Sequence, residues 1–192
     1  MKKIVSQLIV IGALAAAMPA FANHQTLTAG FARSNMDDVN HISGVNLKYY
    51  WEQEDSPFGV VGSFTYMQGK ENSTFKAAND ILSGDAKAQY YALSVGPAYR
   101  LNDYISAYGL IGAGVTQGKG DYHWLNYTSS GYEDLGNLST KENRGSVVYG
   151  VGLQVNPIDN LAVDLSYEGT QVKINGKNYN INAFVVGVGY RF

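Results

Sequence analysis

Between residues 43 and 52 the chain alternates with period two. Val45, Leu47, Tyr49 and Trp51 fall on one side, and Asn46, Lys48, Tyr50 and Glu52 on the other. Successive side chains of a strand point to opposite faces, so the pattern predicts a β-strand lying between two unlike environments. Seven further segments share it. The first runs from about 26 to 33 with Leu27, Ala29 and Phe31 on one face, and the third from 58 to 68 with Val60, Phe64 and Tyr66 together. The fourth, 87–100, sets Tyr91, Leu93, Val95 and Tyr99 against Tyr90, Ser94 and Arg100. The fifth, 104–117, is rich in glycine at Gly109, Gly112 and Gly114, which permits strong coiling. The sixth, 143–155, aligns Val147, Tyr149, Val151, Leu153 and Val155. In the seventh, Leu161, Val163, Leu165 and Tyr167 alternate with Ala162, Asp164, Ser166 and Glu168. The last carries Phe184, Val186, Val188, Tyr190 and the terminal Phe192 on one face; ending the chain, it is expected to close against a strand already made.

The connections alternate in length. Polar stretches at 34–42, 69–86, 118–142 and 173–180, the second of them glycine-containing, read as loops, whereas 55–57, 101–103 and 156–160 read as tight turns. Short turns on one side and long loops on the other predict an all-β fold: an eight-stranded antiparallel transmembrane β-barrel of up-and-down topology, with short periplasmic turns and long extracellular loops. Tyr49, Trp51, Phe58, Tyr99, Tyr104, Tyr190 and Phe192 cluster near the short turns, where aromatic rings sit at the headgroup level. A soluble barrel would turn its apolar face inward. Here the inward set includes Lys48, Glu52, Arg100, Asp164 and Glu168, expected to pair with one another as structural charges of a filled lumen.

The N-terminus predicts export. Lys2 and Lys3 precede a largely apolar run from Ile4 to Ala17, and Ala20-Phe21-Ala22 is a small-x-small cleavage site, so residues 1–22 read as a secretory signal peptide and 23–192 as a single barrel domain. Without Lys2 and Lys3, the 14 basic residues fall to 12 against 16 acidic ones, a net charge of about −4, which excludes a basic nucleic-acid-binding face. There is no cysteine, so pairing and packing alone hold the fold. The slightly negative mean hydropathy agrees with alternating lipid- and lumen-facing residues.

At this point the residues carry a family likeness. Gly44-Val45-Asn46-Leu47-Lys48-Tyr49, Gly59-Val60-Val61-Gly62-Ser63-Phe64-Thr65-Tyr66, Gly96-Pro97-Ala98-Tyr99-Arg100-Leu101-Asn102-Asp103, Tyr149-Gly150-Val151-Gly152-Leu153-Gln154-Val155-Asn156-Pro157 and Gly187-Val188-Gly189-Tyr190-Arg191-Phe192 resemble the Ail/Lom/OmpX family of small enterobacterial outer-membrane proteins. The resemblance covers the mature chain and is weakest at 34–42, 69–86 and 119–142. It implies a cell-outer-membrane location, lipid and lipopolysaccharide as surroundings, barrel-assembly machinery engaging Phe192, and a monomer. In the family's virulence-associated members the outside loops bind host cells, matrix proteins or complement regulators, giving adhesion, invasion and serum resistance.

Eight strands leave no open channel, so function is expected on the loops or the rim. The third loop holds Tyr122, His123, Trp124, Tyr127 and Tyr132; such aromatics either anchor an interface, with Trp124 first, or pair across a hairpin that extends the strands. Lys70 and Lys76 of the second loop complete the candidate binding set. Loop-three charge is mixed, with Lys119 and Lys141 among Asp121, Glu133, Asp134 and Glu142, which disfavours heparin-like chains. An envelope protein with no host ligand is the first rival reading. A rim enzyme using Asp37, Asp38, His41, Asp121 and His123 is the second, but their spacing gives no reason to meet. Neither the three histidines nor the Gly-x-Gly pairs carry metal or nucleotide spacing, so no catalytic residues, cofactor or metal are expected, and His24 reads as part of a disordered end. N-terminal sequencing of the protein recovered from outer membranes is expected to begin at Asn23; a chain retaining Lys2 and Lys3 would refute the cleavage site.

Overall fold

The computed structural model describes residues 24–36, 39–53, 55–77, 80–128, 131–174 and 177–192, with backbone alone at 35–36, 39–40, 72–77, 80–83, 122–128, 131–135, 137–138, 173–174 and 177–179. Eight strands follow in order: β1 (His24–Met36), β2 (Val39–Glu52), β3 (Phe58–Ala77), β4 (Asp80–Arg100), β5 (Ile105–Thr128), β6 (Gly131–Ile158), β7 (Leu161–Ile174) and β8 (Lys177–Arg191). Each pairs antiparallel with its neighbour, and β8 returns to β1, closing the barrel. The seam runs from Thr26↔Arg191 to Met36↔Ile181, and reciprocal bonds between Gln25 and Phe192, 3.0 and 2.9 Å long, finish it. The terminal strand therefore closes the sheet as its alternation predicts. The predicted residues 1–22 lie outside the described residues.

The faces are as the alternation requires. Phe31, Val45, Leu93, Ile111, Val151, Leu165 and Val186 are exposed to the outside, while Thr28, Lys48, Thr65, Ser94, Gln154 and Asp164 are buried within. This inversion of a soluble protein is what a lipid surround demands. The periplasmic aromatics form contacts of their own: Phe58 packs edge-on against Tyr99 at 5.2 Å, and Tyr190 stacks on Phe192 at 5.9 Å. The short turns are locally determined. Asp55 adopts the left-handed conformation at φ 61°, and the Asn102 side chain accepts from the Tyr104 and Ile105 amides at 2.9 Å.

Two expectations are corrected. The stretches 69–86 and 118–142 are not loops: β3 and β4 stay paired from Gly69↔Ala88 to Ala77↔Asp80, and β5 and β6 from Gly118↔Glu142 to Thr128↔Gly131. Residues 34–42 and 173–180 likewise pair as far as Met36↔Val39 and Ile174↔Lys177. Outside the membrane both faces of a hairpin meet water, so the apolar alternation stops while backbone pairing continues, and polarity is misread as loop. His24 is also no loose end; it opens β1 opposite Glu52.

Close approach of strands depends on glycine at particular places. The β4–β5 ladder skips Gly96 and Pro97, the latter having no N–H to give. A Cβ at Gly96 would stand 1.8 Å from the Gly109 carbonyl oxygen, inside contact distance. Gly96→Val should lower stability by roughly 1–3 kcal/mol or more, as overpacking does. Gly62→Ala, with nothing within 4 Å of the new atom, should be near neutral. Urea titration followed by heat-modifiable gel mobility measures both, and equal midpoints would contradict the packing assigned to Gly96.

Candidate functional site

The lumen charges, expected to pair as structural groups, form a brace. Lys48 of β2 reaches across the barrel to Asp164 of β7, Nζ to Oδ1 2.6 Å, and also donates to Asn46 Oδ1 at 2.8 Å and Ser166 Oγ at 2.9 Å. The other Asp164 oxygen accepts from the Tyr50 hydroxyl and, at 2.8 Å, from the Tyr108 hydroxyl; the two rings meet edge-on at 5.5 Å. Glu168 accepts from Thr65 Oγ1 at 2.8 Å and Tyr90 OH at 2.9 Å. Asn46 donates onward to Ser63 Oγ and Thr65 Oγ1, each at 2.9 Å. Side chains of β2, β3, β4, β5 and β7 are thus tied across the interior. Lys48 and Asp164 are 2% and 1% exposed, so a substrate has no access to them.

A second cluster plugs the periplasmic end. Arg100 Nη1 donates to both oxygens of Glu52, at 2.8 and 3.0 Å; Ser106 adds a bond to Glu52 at 3.2 Å, and Arg191 stands 3.4 Å from it. Sequence reasoning brought Lys48, Glu52, Arg100, Asp164 and Glu168 inside, and all five are there. It missed Arg191, although its place between outward Tyr190 and Phe192 fixes an inward side chain. Among the described residues the lumen then holds three cations, Lys48, Arg100 and Arg191, and three carboxylates, Glu52, Asp164 and Glu168. At the opposite end Ile42, Met67, Val148, Val172 and Ile181 form an apolar cap. Polar layers beneath an apolar cap fill the interior, so the barrel offers no aqueous path.

Outside the barrel the geometry is different. The β2–β3 ladder ends at Ser43↔Gln68 and the β6–β7 ladder at Val148↔Thr170, whereas β3 to β6 continue together beyond both. A four-stranded sheet therefore projects past the rim. Tyr122, Trp124, Tyr127 and Tyr132 all lie on its paired backbone: Tyr122 opposite Leu138, Tyr127 opposite Tyr132, and Trp124 opposite Leu82, with an irregularity between His123 and Leu125. Of the two expectations for these residues, a hairpin extending the strands describes their backbone; their side chains, like that of Lys76, lie outside the described residues. Lys70 is exposed on β3.

Of the enzyme candidates, His41 and Asp121 have described side chains, and no contact between the two is seen. Asp37 and Asp38 lie outside the described residues, His41 is exposed on β2, and Asp121 accepts from Ser139 Oγ at 2.6 Å. Among the described residues no group of three or more His, Cys, Asp or Glu is placed to hold a metal.

The family model for enterobacterial Ail/Lom proteins matches residues 1–192. The chain belongs to the Ail/Lom family. Outer membrane protein X of Enterobacter cloacae is 40% identical over 181 residues, 90% of this chain and 88% of that protein. The virulence membrane protein PagC of Salmonella typhimurium is 33% identical over 191 residues, 98% of both chains. The crystal structure of Ail, the attachment invasion locus protein of Yersinia pestis, superposes with TM-score 0.63 at 30% identity, covering 90% of this chain and all of that one. The same protein has been solved in complex with the heparin analogue sucrose octasulfate, with TM-score 0.61, 31% identity and the same coverage. As an Ail/Lom protein this chain is an outer-membrane barrel, and the inverted polarity of its faces has its cause in that membrane.

In this Ail/Lom barrel the buried ion pair makes a sharp prediction. Asp164→Ala strands an ammonium and two phenols at once and should cost about 3–5 kcal/mol. Lys48→Met combined with Asp164→Leu removes both charges and should recover most of that loss. Urea unfolding in detergent tests the pair; a double variant as weak as the single one would contradict the brace.

Proposed function

We propose that this protein is a non-enzymatic attachment protein of the outer membrane. After export through its signal peptide, the barrel fixes it in lipid and the projecting β3–β6 sheet meets the host, giving adhesion and, through complement-regulator or matrix contacts, serum resistance. The observation that carries this reading is the inequality of strand lengths: β5 and β6 run 24 and 28 residues while β1 and β7 run 13 and 14. A membrane needs only about 9–11 residues per strand. The segment Gly118–Thr128 alone adds on the order of 30 Å beyond closure at strand rise. A rigid paired surface costs a partner less ordering entropy than a flexible loop.

Composition points to contact residues. Trp124, Tyr122, Tyr127 and Tyr132 supply the residue types that dominate interface energetics, and they sit on the longest hairpin. Lys70 and Lys76 contribute polar contacts from the neighbouring hairpin. The names of the relatives support an attachment role, and the heparin analogue held by Y. pestis Ail makes a sulfated host polysaccharide one class of ligand to try. A second reading, an envelope protein without a host ligand, draws on the 40% identity to outer membrane protein X, whose name carries no attachment.

One comparison separates the two. The full chain is expressed in a non-adhesive, serum-sensitive bacterium beside a version with residues 119–142 replaced by a short Gly/Ser hairpin, insertion being matched by heat-modifiable mobility. Adhesion or serum survival should appear with the full chain and vanish with the replacement. Correct insertion without either phenotype would favour the envelope reading.

A further inference from the structure

Closure of the barrel fixes where the chain enters it at the periplasmic mouth. The last bonds of the seam join the Gln25 amide to the Phe192 carbonyl at 3.0 Å and the Phe192 amide to the Gln25 carbonyl at 2.9 Å. One residue before that clamp stands His24, exposed, at the end of the β1–β2 ladder opposite Glu52. Cleavage after Ala22 leaves a single residue, Asn23, ahead of it. The mature chain then begins with an α-amine, one peptide bond and an imidazole in immediate succession.

That succession has a specific chemistry. The α-amine nitrogen, the His24 amide nitrogen and His24 Nδ1 can close two fused chelate rings around one metal ion. Nitrogens in a plane are the tetragonal donor set that Cu(II) prefers, and Cu(II) stands highest in the divalent affinity order. Its ligands bind deprotonated. The α-ammonium, with an ordinary pKa of about 7.7–8.0, gives up its proton readily near neutrality. The metal itself displaces the amide proton, so both protons leave as the ion binds, and water keeps the remaining position in the plane. The amide at stake belongs to the end pair of the β1–β2 ladder, so no interior pairing is lost. Zn(II), with no preference for a plane, is a poorer match. Spacing between histidines does not reveal such a site, because two of its three nitrogens belong to the backbone. Among the described residues no group of three or more His, Cys, Asp or Glu competes for the metal. His41 adjoins Ile42, which pairs with Ser34 near the far end of β1, on the order of 30 Å from His24 at strand rise, so the two imidazoles cannot share an ion.

We propose that the mature N-terminus, Asn23-His24, is a copper(II) site facing the periplasm. That compartment is oxidising, which favours the Cu(II) state over Cu(I). The inference rests on the export cleavage after Ala22, part of the reading above, and on nothing in the attachment role.

The full chain is exported in a Gram-negative host, extracted from the outer membrane and stripped of metal with EDTA, and its terminus is read by intact mass. Copper(II) is then added with glycine as a weak competitor, and uptake is followed by visible absorption and electron paramagnetic resonance. The wild type should take up a single Cu(II) per chain, with a tetragonal spectrum coupled to three nitrogens. His24→Gln should lose that signal, and His41→Gln should keep it. An alanine inserted between Asn23 and His24 adds a second amide to the donor set, so the absorption band should move to shorter wavelength as a fourth nitrogen enters the plane. An imidazole binding copper on its own would show no such shift. Heat-modifiable mobility checks the folding of every variant independently of copper. Uptake undiminished by His24→Gln, a spectrum indifferent to the inserted alanine, or a signal lost equally with His41→Gln would overturn the proposal. A mature chain beginning anywhere but Asn23 would overturn the cleavage site and the copper site together, whereas Asn23 in place with no copper taken up would overturn the copper site alone.

Discussion

Hydrocarbon offers no partner to a backbone N–H or C=O, and each unpaired group there costs several kcal/mol. The sheet must therefore close, and the pairing of Thr26 through Met36 with Arg191 through Ile181 is where it does. Other features follow from that closure. Eight strands enclose a space too narrow for a channel, so every inward side chain meets others from across the barrel. The chain fills it with tyrosine rings, small hydroxyls, the Lys48–Asp164 pair and a Glu52 shared by Arg100 and Arg191, because an outside committed to lipid leaves its polar residues nowhere else to go.

The arrangement of those charges is graded along the axis. Asp164 is buried and bonded by Lys48, Tyr50 and Tyr108, so its charge is met by side-chain donors from across the barrel. Glu52 lies nearer the periplasmic rim, shared between Arg100 and Arg191. Buried ion pairs of this kind rarely add stability over an apolar filling, but they penalise any register that separates them. In a sheet where a one-residue slip would turn every lipid-facing side chain inward, that penalty has an evident use. The lumen is thus a device of specification, and the part of the molecule free to meet other molecules is the sheet beyond the rim.

The transmembrane portion was legible in the sequence because two solvents differ there. Val45 and Lys48 cannot exchange faces, so alternation alone put Lys48, Glu52, Arg100, Asp164 and Glu168 inside, where they are. Arg191 followed the same rule and was overlooked at the very end of the chain. Beyond the membrane the two faces share one solvent, the alternation carries no information, and paired strands at 69–77, 80–86, 118–128 and 131–142 looked like loops.

Closure of the seam is the claim on which lumen, register and projecting sheet all stand. Amide hydrogen exchange of the protein in lipid bilayers measures it residue by residue. Amides along Ala29–Arg33 and Val185–Val188 should exchange as slowly as those at the centre of β4 near Leu93 and Val95, since all are equally paired. Fast exchange confined to the β1–β8 seam would mean an open sheet and would contradict the closed barrel.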